Sequence, residues 1–284
     1  CTCMGLAGRG EILAYPLLLL QASGYADLRE LLRNNLVAGA VLLCTSALSA
    51  LSYYCCCLKM KTQYYVDQRD QAGSWKCQPT KWLSSDREKE EVFYGILNAA
   101  CGGFYAVSMG LASLRGGYTQ LYYDVNEYGM VYFLLSFFLL FHFIECFAYW
   151  IHRFWHLKFV YARFHKMHHR YQPPTPFSAL AFHPVEWFVY VVGGQTFFWV
   201  VPCHPIPALV VGLYTSYHLI EDHSGVKMTS VFPWQPTTMY HDDHHQYFHV
   251  NFGQHIVFWD WLCGTLRQPG RVYSEETFGG RGAG

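Results

Sequence analysis

Charge is what this sequence has least of. Only 14% of its 284 residues are Asp, Glu, Lys or Arg, against about 25% in a soluble domain, and they cancel to a net charge of zero. Without a basic surplus there is no electrostatic footprint for nucleic acid, so no such partner is expected. No polar or Pro/Gly-rich linker divides the chain into independent domains. The eleven cysteines lack the spacing of a secreted disulfide scaffold, and several sit in apolar stretches as reduced, buried thiols would. Cys55, Cys56 and Cys57 end one such stretch, a position also suited to palmitoylation. An initiating methionine is missing too: the chain opens at Cys1, reads as truncated, and presents no signal peptide to interpret.

What is abundant is apolar and aromatic. Hydrophobic residues make up 52%, with 21 Phe, 22 Tyr and 9 Trp. Runs at 36–58, 93–113 and 129–150 are each long enough for a helix to cross a bilayer core, which takes about 20 residues. A fourth apolar region, 187–217, is broken by Pro202, Pro205 and Pro207, which predicts two short helices in a re-entrant hairpin rather than one straight span. The expected organisation is an N-terminal segment 1–35, a membrane domain 36–267 and a Gly-rich tail 268–284. Segment 59–92 carries seven basic residues, whereas the turn between the second and third runs has only Arg115. The positive-inside tendency therefore puts 59–92 in the cytosol and the turn in the lumen. The third run then returns the chain to the cytosol, and everything after residue 150 outside the hairpin faces that side. The fold class expected is all-α: a multi-pass helical membrane protein with a cytosolic, histidine-rich helical cap holding a di-metal site.

Eight of the fifteen histidines fall in three clusters. His152 and His156 form H-x-x-x-H; His165, His168 and His169 form H-x-x-H-H; His241, His244 and His245 form a second H-x-x-H-H. At this histidine frequency one chance H-x-x-H-H has odds of about one in twenty-five, the false-positive check any short motif needs, so two argue for a purpose. Spacings of three and four put side chains on one helical face, so each cluster is expected to present its imidazoles to one point. Among isolated histidines, His142, His204 and His255 read as ordinary satisfied polar residues. His223, eighteen residues before the last cluster, reads as a further ligand, and His183, His218 and His249 are left open.

Imidazole suits zinc, copper, iron and nickel, but one structural zinc closes with four ligands, and eight or nine histidines suit two metals with open positions. The paired Glu-x-x-His pattern of soluble di-iron bundles is absent. Glu186, Glu221, Asp222, Asp242 and Asp243 are instead expected to accept the other ring N–H and orient the imidazoles. A metal transporter is the rival reading, but it would place its ligands inside the spans near the midplane, whereas these clusters follow them.

The clusters, in this order and with an apolar hairpin between the second and third, resemble the fatty acid hydroxylase / sterol desaturase superfamily from about Leu36 to Arg267. LSYY at 51–54, YWIHRFWH at 149–156, VYARFHKMHH at 160–169, PTPFSALAFHPVEW at 174–187 and NFGQHIVFWDWLCGT at 251–265 are most similar to sterol C-5 desaturases. EDHSG at 221–225 with FPW at 232–234 departs toward the sterol 4-methyl oxidase and cholesterol hydroxylase branches. The resemblance implies two iron ions carried by His152, His156, His165, His168, His169, His241, His244 and His245, with His223 joining them, and no catalytic residues beyond that site. It implies dioxygen as oxidant, a sterol or other lipid as substrate, and an endoplasmic-reticulum membrane enzyme. Electrons would come from NAD(P)H through a cytochrome b5-type carrier and its reductase. The paired glycines of a haem domain do not follow His183-Pro184 or His204-Pro205, so the carrier is expected to be a separate protein. Sterol C-5 desaturation is the activity this wording favours, with hydroxylation of a sterol or fatty acid as the alternative.

Overall fold

The computed structural model describes residues 34–114, 117–280 and 282–283. Most of the expected N-terminal segment, and Arg115 and Gly116 of the turn expected to be lumenal, lie outside the described residues. Three helices are long and apolar enough to cross a membrane, over Leu36–Val66, Ser85–Leu114 and Gly129–Trp155. The first comprises α1, Asn35–Lys61, and a π-helical turn Thr62–Val66. The Asn34 side chain caps it by accepting from Leu36 N and Val37 N, satisfying amides that have no partner inside the helix.

The second, α2, runs from Ser85 to Leu114 and so begins eight residues before the apolar run. Its first turns are charged, and hydropathy cannot see them. Asp86 and Glu88 lie in the first turn, where acids complement the helix dipole. With α1 continuing past residue 58, the expected loop 59–92 shrinks to a connector between Val66 and Ser85. Side by side, α1 and α2 approach so closely that a Cβ on Gly103 would lie 2.6 Å from Ser49 Cβ. Ser49 also donates to the Ala99 carbonyl at 2.9 Å. Tyr53 and Cys57 of α1 and Ala99 of α2 share a core with Phe177, Ala179 and Ile220. Cys57, buried and donating to Pro176 O at 3.3 Å, is thereby removed from the candidate acylation sites, while Cys55 and Cys56 stay exposed.

The third long helix, α3 (Gly129–Trp155), ends on the first histidine cluster. A π-helical turn Tyr161–His165 runs straight into α4, Lys166–His169, carrying the second. The broken apolar region forms α5, Pro184–Gln195, a helical turn Phe197–Val200, and α6, Pro205–Asp222. Each of α5 and α6 opens with proline, whose missing N–H costs nothing at a first helical position. The histidine before each proline caps the helix: His183 accepts from Val185 N and His204 from Ile206 N, both at 3.2 Å.

The hairpin goes deeper than re-entry requires. At its apex Pro202 O accepts from Tyr132 OH of α3 at 2.8 Å, and Cys203 exchanges backbone bonds with Gln120 and Tyr122. Tyr132 and His152 are twenty residues apart on one helix, about 30 Å, which is a whole hydrocarbon thickness. The apex therefore reaches the far end of α3 from the histidines. The last cluster lies on α7, Thr238–Tyr247. No strand occurs among the described residues, and three isolated backbone bridges are the sole β-type pairing.

Candidate metal centre

Nine buried histidines converge in two groups, each able to hold a metal ion. His152, His156, His165, His169 and His244 form one, and His168, His223, His241 and His245 the other, with ligand nitrogens in each within 4.8 Å of one another. These are the nine positions singled out from the sequence, but each H-x-x-H-H is divided. His165 and His169 join the first group while His168 turns to the second; His241 and His245 join the second while His244 turns to the first. The expectation that each cluster addresses one point holds for His152 and His156, which share a group, and is corrected for both H-x-x-H-H clusters. The reason is helical geometry: at about 100° per residue, positions three and four apart from the first lie on opposite flanks of it. One turn of helix therefore serves two sites.

Nearest ring nitrogens meet edge to edge. His165 Nε2 and His169 Nε2 are 3.1 Å apart, His169 Nε2 and His244 Nε2 3.0 Å. In the second group His223 Nε2 lies 3.2 Å from His168 Nε2 and 3.0 Å from His241 Nε2. Several of these rings have their tautomer set from behind. The Nδ1 of His152 faces Phe252 O at 2.9 Å, that of His244 faces Val250 O at 2.7 Å, and that of His223 faces Leu219 O at 2.8 Å. A carbonyl only accepts, so each of these Nδ1 atoms carries the hydrogen and each Nε2 keeps a lone pair. Lone pairs turned toward each other at 3 Å are reconciled by a cation between them. Nitrogens bound at about 2.1 Å and at right angles would sit about 3.0 Å apart, so the donor set fits a metal in each group.

Electrostatics point the same way. Burial, reinforced by the neighbouring imidazoles, pushes His165, His168, His169, His241, His244 and His245 well below the ordinary imidazole value. They are neutral at physiological pH, the form in which imidazole binds metal.

Of the five carboxylates expected to orient ligands, Glu186 alone does so, accepting from His165 Nδ1 at 2.5 Å. Asp222 pairs with His218 instead, Glu221 accepts from Gln235, Asp242 from Gln78, and Asp243 from Arg267. Their places are taken by backbone carbonyls. Left-handed turns at Phe248 (φ 69°) and Asn251 (φ 53°) swing the chain after α7 back so that Val250 and Phe252 face the histidines. Sequence reasoning had no means to find those groups, since a carbonyl carries no residue signature.

The remaining histidines fall outside both groups. His183 and His204 are helix caps. His218 pairs with Asp222, and its ring lies 4.7 Å from that of His255, which is bound to the buried Glu145. His142 contacts Phe138 O on its own helix at 2.9 Å. His249 sits against His156, Nδ1 to Nδ1 at 2.8 Å. A cavity of about 70 Å³ borders the second group, lined by His152, His168, His223 and His241 together with Phe182, Trp187, Tyr190, Leu219 and Gln254.

Residues 137–265 match the fatty acid hydroxylase family. The chain is 34% identical to lathosterol oxidase of Mus musculus over 167 residues, covering 57% of this chain and 56% of that protein. It is 32% identical to the Homo sapiens lathosterol oxidase over 167 residues, 57% and 56% of the two chains. Against the Delta(7)-sterol 5(6)-desaturase of Schizosaccharomyces pombe it is 32% identical over 192 residues, 66% of this chain and 63% of that one. The chain thus spans less than two thirds of the length of these curated relatives. No solved structure gives a significant match. The stretch that matches the fatty acid hydroxylase family, residues 137–265, contains all nine converging histidines, and the curated proteins similar to this chain are lathosterol oxidases and sterol C-5 desaturases.

Proposed function

We propose that this chain desaturates a sterol at C-5, using two iron ions held by His152, His156, His165, His169 and His244 on one side and His168, His223, His241 and His245 on the other. The observation that carries the proposal is the double convergence of neutral, buried imidazoles beside a cavity. The family match and the names of its relatives add the substrate class. Bound there, a pair of iron ions supplies the redox capacity to reduce dioxygen at the expense of an unactivated C–H bond. The substrate gives up two hydrogens, dioxygen with two electrons and two protons becomes two waters, and a carrier fed by NAD(P)H, of the cytochrome b5 type, returns the electrons.

The protein's part is positional. Carbonyls 219, 250 and 252 and the Glu186 carboxylate hold the rings from behind. Phe182, Trp187 and Leu219 give the cavity apolar lining, which disfavours water and suits a hydrocarbon skeleton arriving from the bilayer. The domain extends over 36–267, in the endoplasmic-reticulum membrane, with both groups on the cytosolic side. The histidines lie at one end of α3 rather than at its middle, which favours an enzyme over a transporter. Hydroxylation is the second reading, favoured by EDHSG, whose His223 enters the second group.

Membranes of a sterol-desaturase-deficient cell expressing the chain, given NADH and a Δ7-sterol, should develop the ultraviolet absorption of a conjugated ring-B diene. Product that gains one oxygen atom instead identifies a hydroxylase. For orientation, a glycosylation acceptor placed in 117–128 should be modified and one near Ser84 should not; the reverse pattern would overturn the cytosolic placement.

A further inference from the structure

The C-terminal tail has no part in the reading above, yet it is built around one histidine. Val272 and Ala283 exchange backbone hydrogen bonds of 3.2 and 3.1 Å, which fasten the end of the tail back onto its start. Within it the Glu275 carboxylate is held by Lys166 Nζ at 2.8 Å and by Tyr161 OH at 3.3 Å, both from the helical turns that carry the second histidine cluster. With its side chain tied there, Glu275 turns its backbone carbonyl onto His249 Nε2 at 2.5 Å. The Phe278 ring lies over that imidazole, centroids 4.1 Å apart. Gly280 (φ +73°) passes so near that a Cβ on it would fall 2.9 Å from the His249 carbonyl oxygen and 2.7 Å from Thr265 Cγ2. Two tail residues thus meet the imidazole, a third passes its backbone, and His249 is fully buried.

The chemistry of the contact has one solution. The Glu275 carbonyl can only accept, so His249 Nε2 carries the hydrogen and, in the neutral ring, Nδ1 carries the lone pair. That lone pair faces His156 Nδ1 at 2.8 Å, so His156 donates through Nδ1 and keeps its own lone pair on Nε2. His156 Nε2 is buried, has no hydrogen-bond partner, and belongs to the five-histidine group. A backbone carbonyl two rings away thus decides which nitrogen of His156 is offered to that group. Carboxylates or carbonyls usually do this directly; here a second histidine is interposed and the tail sets it.

We propose that His249 is a positioning residue that fixes the tautomer and orientation of His156 for metal binding, and that docking of the 272–283 loop is what sets it. The inference rests on the metal reading above. Its test uses the full chain purified in detergent, with zinc alone as probe, and measures metal per chain and release to a chromogenic chelator. His249→Phe keeps a ring against Phe278 and Tyr161 but removes the acceptor. It should cut retention in the five-histidine site by about 10- to 100-fold, the usual effect of losing such a partner, and leave the second metal in place. His249→Gln, whose amide can accept from His156 and donate to Glu275, should restore retention to near wild type. Ending the chain after Tyr273 should reproduce the Phe variant, because it removes the Glu275 carbonyl itself. Wild-type release from His249→Phe overturns the inference. So does equal loss of both metals from the Phe and Gln variants, which is what a merely structural role would give. A wild-type chain that takes up no zinc overturns the metal reading, and the inference with it.

Discussion

The two histidine groups differ in how they are held. In the five-membered group four rings are anchored through Nδ1: His152 by Phe252 O, His244 by Val250 O, His165 by Glu186, and His156 by His249. In the four-membered group only His223 has such an anchor, on Leu219 O, while His168, His241 and His245 have buried Nδ1 atoms without a hydrogen-bond partner. The less anchored group is also the one that contributes three of its four rings to the cavity wall. The comparison teaches that neighbouring sites built from the same helical turns can have different stiffness. Anchored imidazoles hold a metal in one geometry, whereas free ones can shift when something occupies the adjoining space.

The largest expected effect tests whether the groups work together. His244→Ala and His241→Ala each remove one ring from one group, and each should lower turnover by more than about 100-fold, exceeding the loss typical of an outer partner. Metal content should fall selectively, in the five-membered site for the first and the four-membered site for the second. Loss of both metals from either variant would dissolve the distinction between the sites.

Next in size is the anchor itself. Glu186→Ala should weaken the five-membered site by about 10- to 100-fold, read by metal competition titration. Asp222→Asn should leave both sites loaded, because that carboxylate pairs with His218 rather than with one of the nine converging histidines. Equal effects would show that any buried carboxylate nearby suffices. A smaller change is expected from Leu219→Phe, which pushes into the 70 Å³ cavity. Turnover should drop several-fold while two metals remain, so catalysis and metal content separate.

The smallest effect concerns pH. Burial holds His165, His169 and His244 in one group, and His168, His241 and His245 in the other, well below the ordinary value of 6.5. The unfolded chain therefore takes up protons near pH 6.5 that the folded chain refuses. The stability this represents is present above that pH and is lost as pH falls below it. Thermal unfolding of metal-free protein in detergent should show a midpoint that declines on acidification from pH 7 to 5. In the loaded protein the four-membered site should release its metal first. Simultaneous release would argue that the missing Nδ1 anchors carry no weight.

Much of this centre was legible in the sequence, because imidazole at spacings of three and four is a chemical signal that survives without coordinates. The nine histidines that meet were all marked by it, His223 by its place after the hairpin. Of the roles left open, His183 is a helix cap and His218 a partner of Asp222; the second is an i,i+4 pair whose spacing the sequence does carry, but which by itself does not tell an ion pair from a metal ligand. His249 stays open in the sequence because its partners Glu275 and Phe278 are 26 and 29 positions away in the chain. The start of α2 at Ser85 was missed for a different reason: charged residues can continue a helix beyond the apolar stretch that hydropathy detects.

By itself the sequence determined the helical class, the apolar segments and the inventory of imidazoles, since composition and local periodicity act within a few residues. Only the tertiary structure decided that each H-x-x-H-H serves two groups, that backbone carbonyls rather than four of the five acids hold the rings, and that the tail closes over His249. Those outcomes depend on which backbone atoms arrive from distant elements, and a peptide carbonyl is the same at every position until the fold aims it.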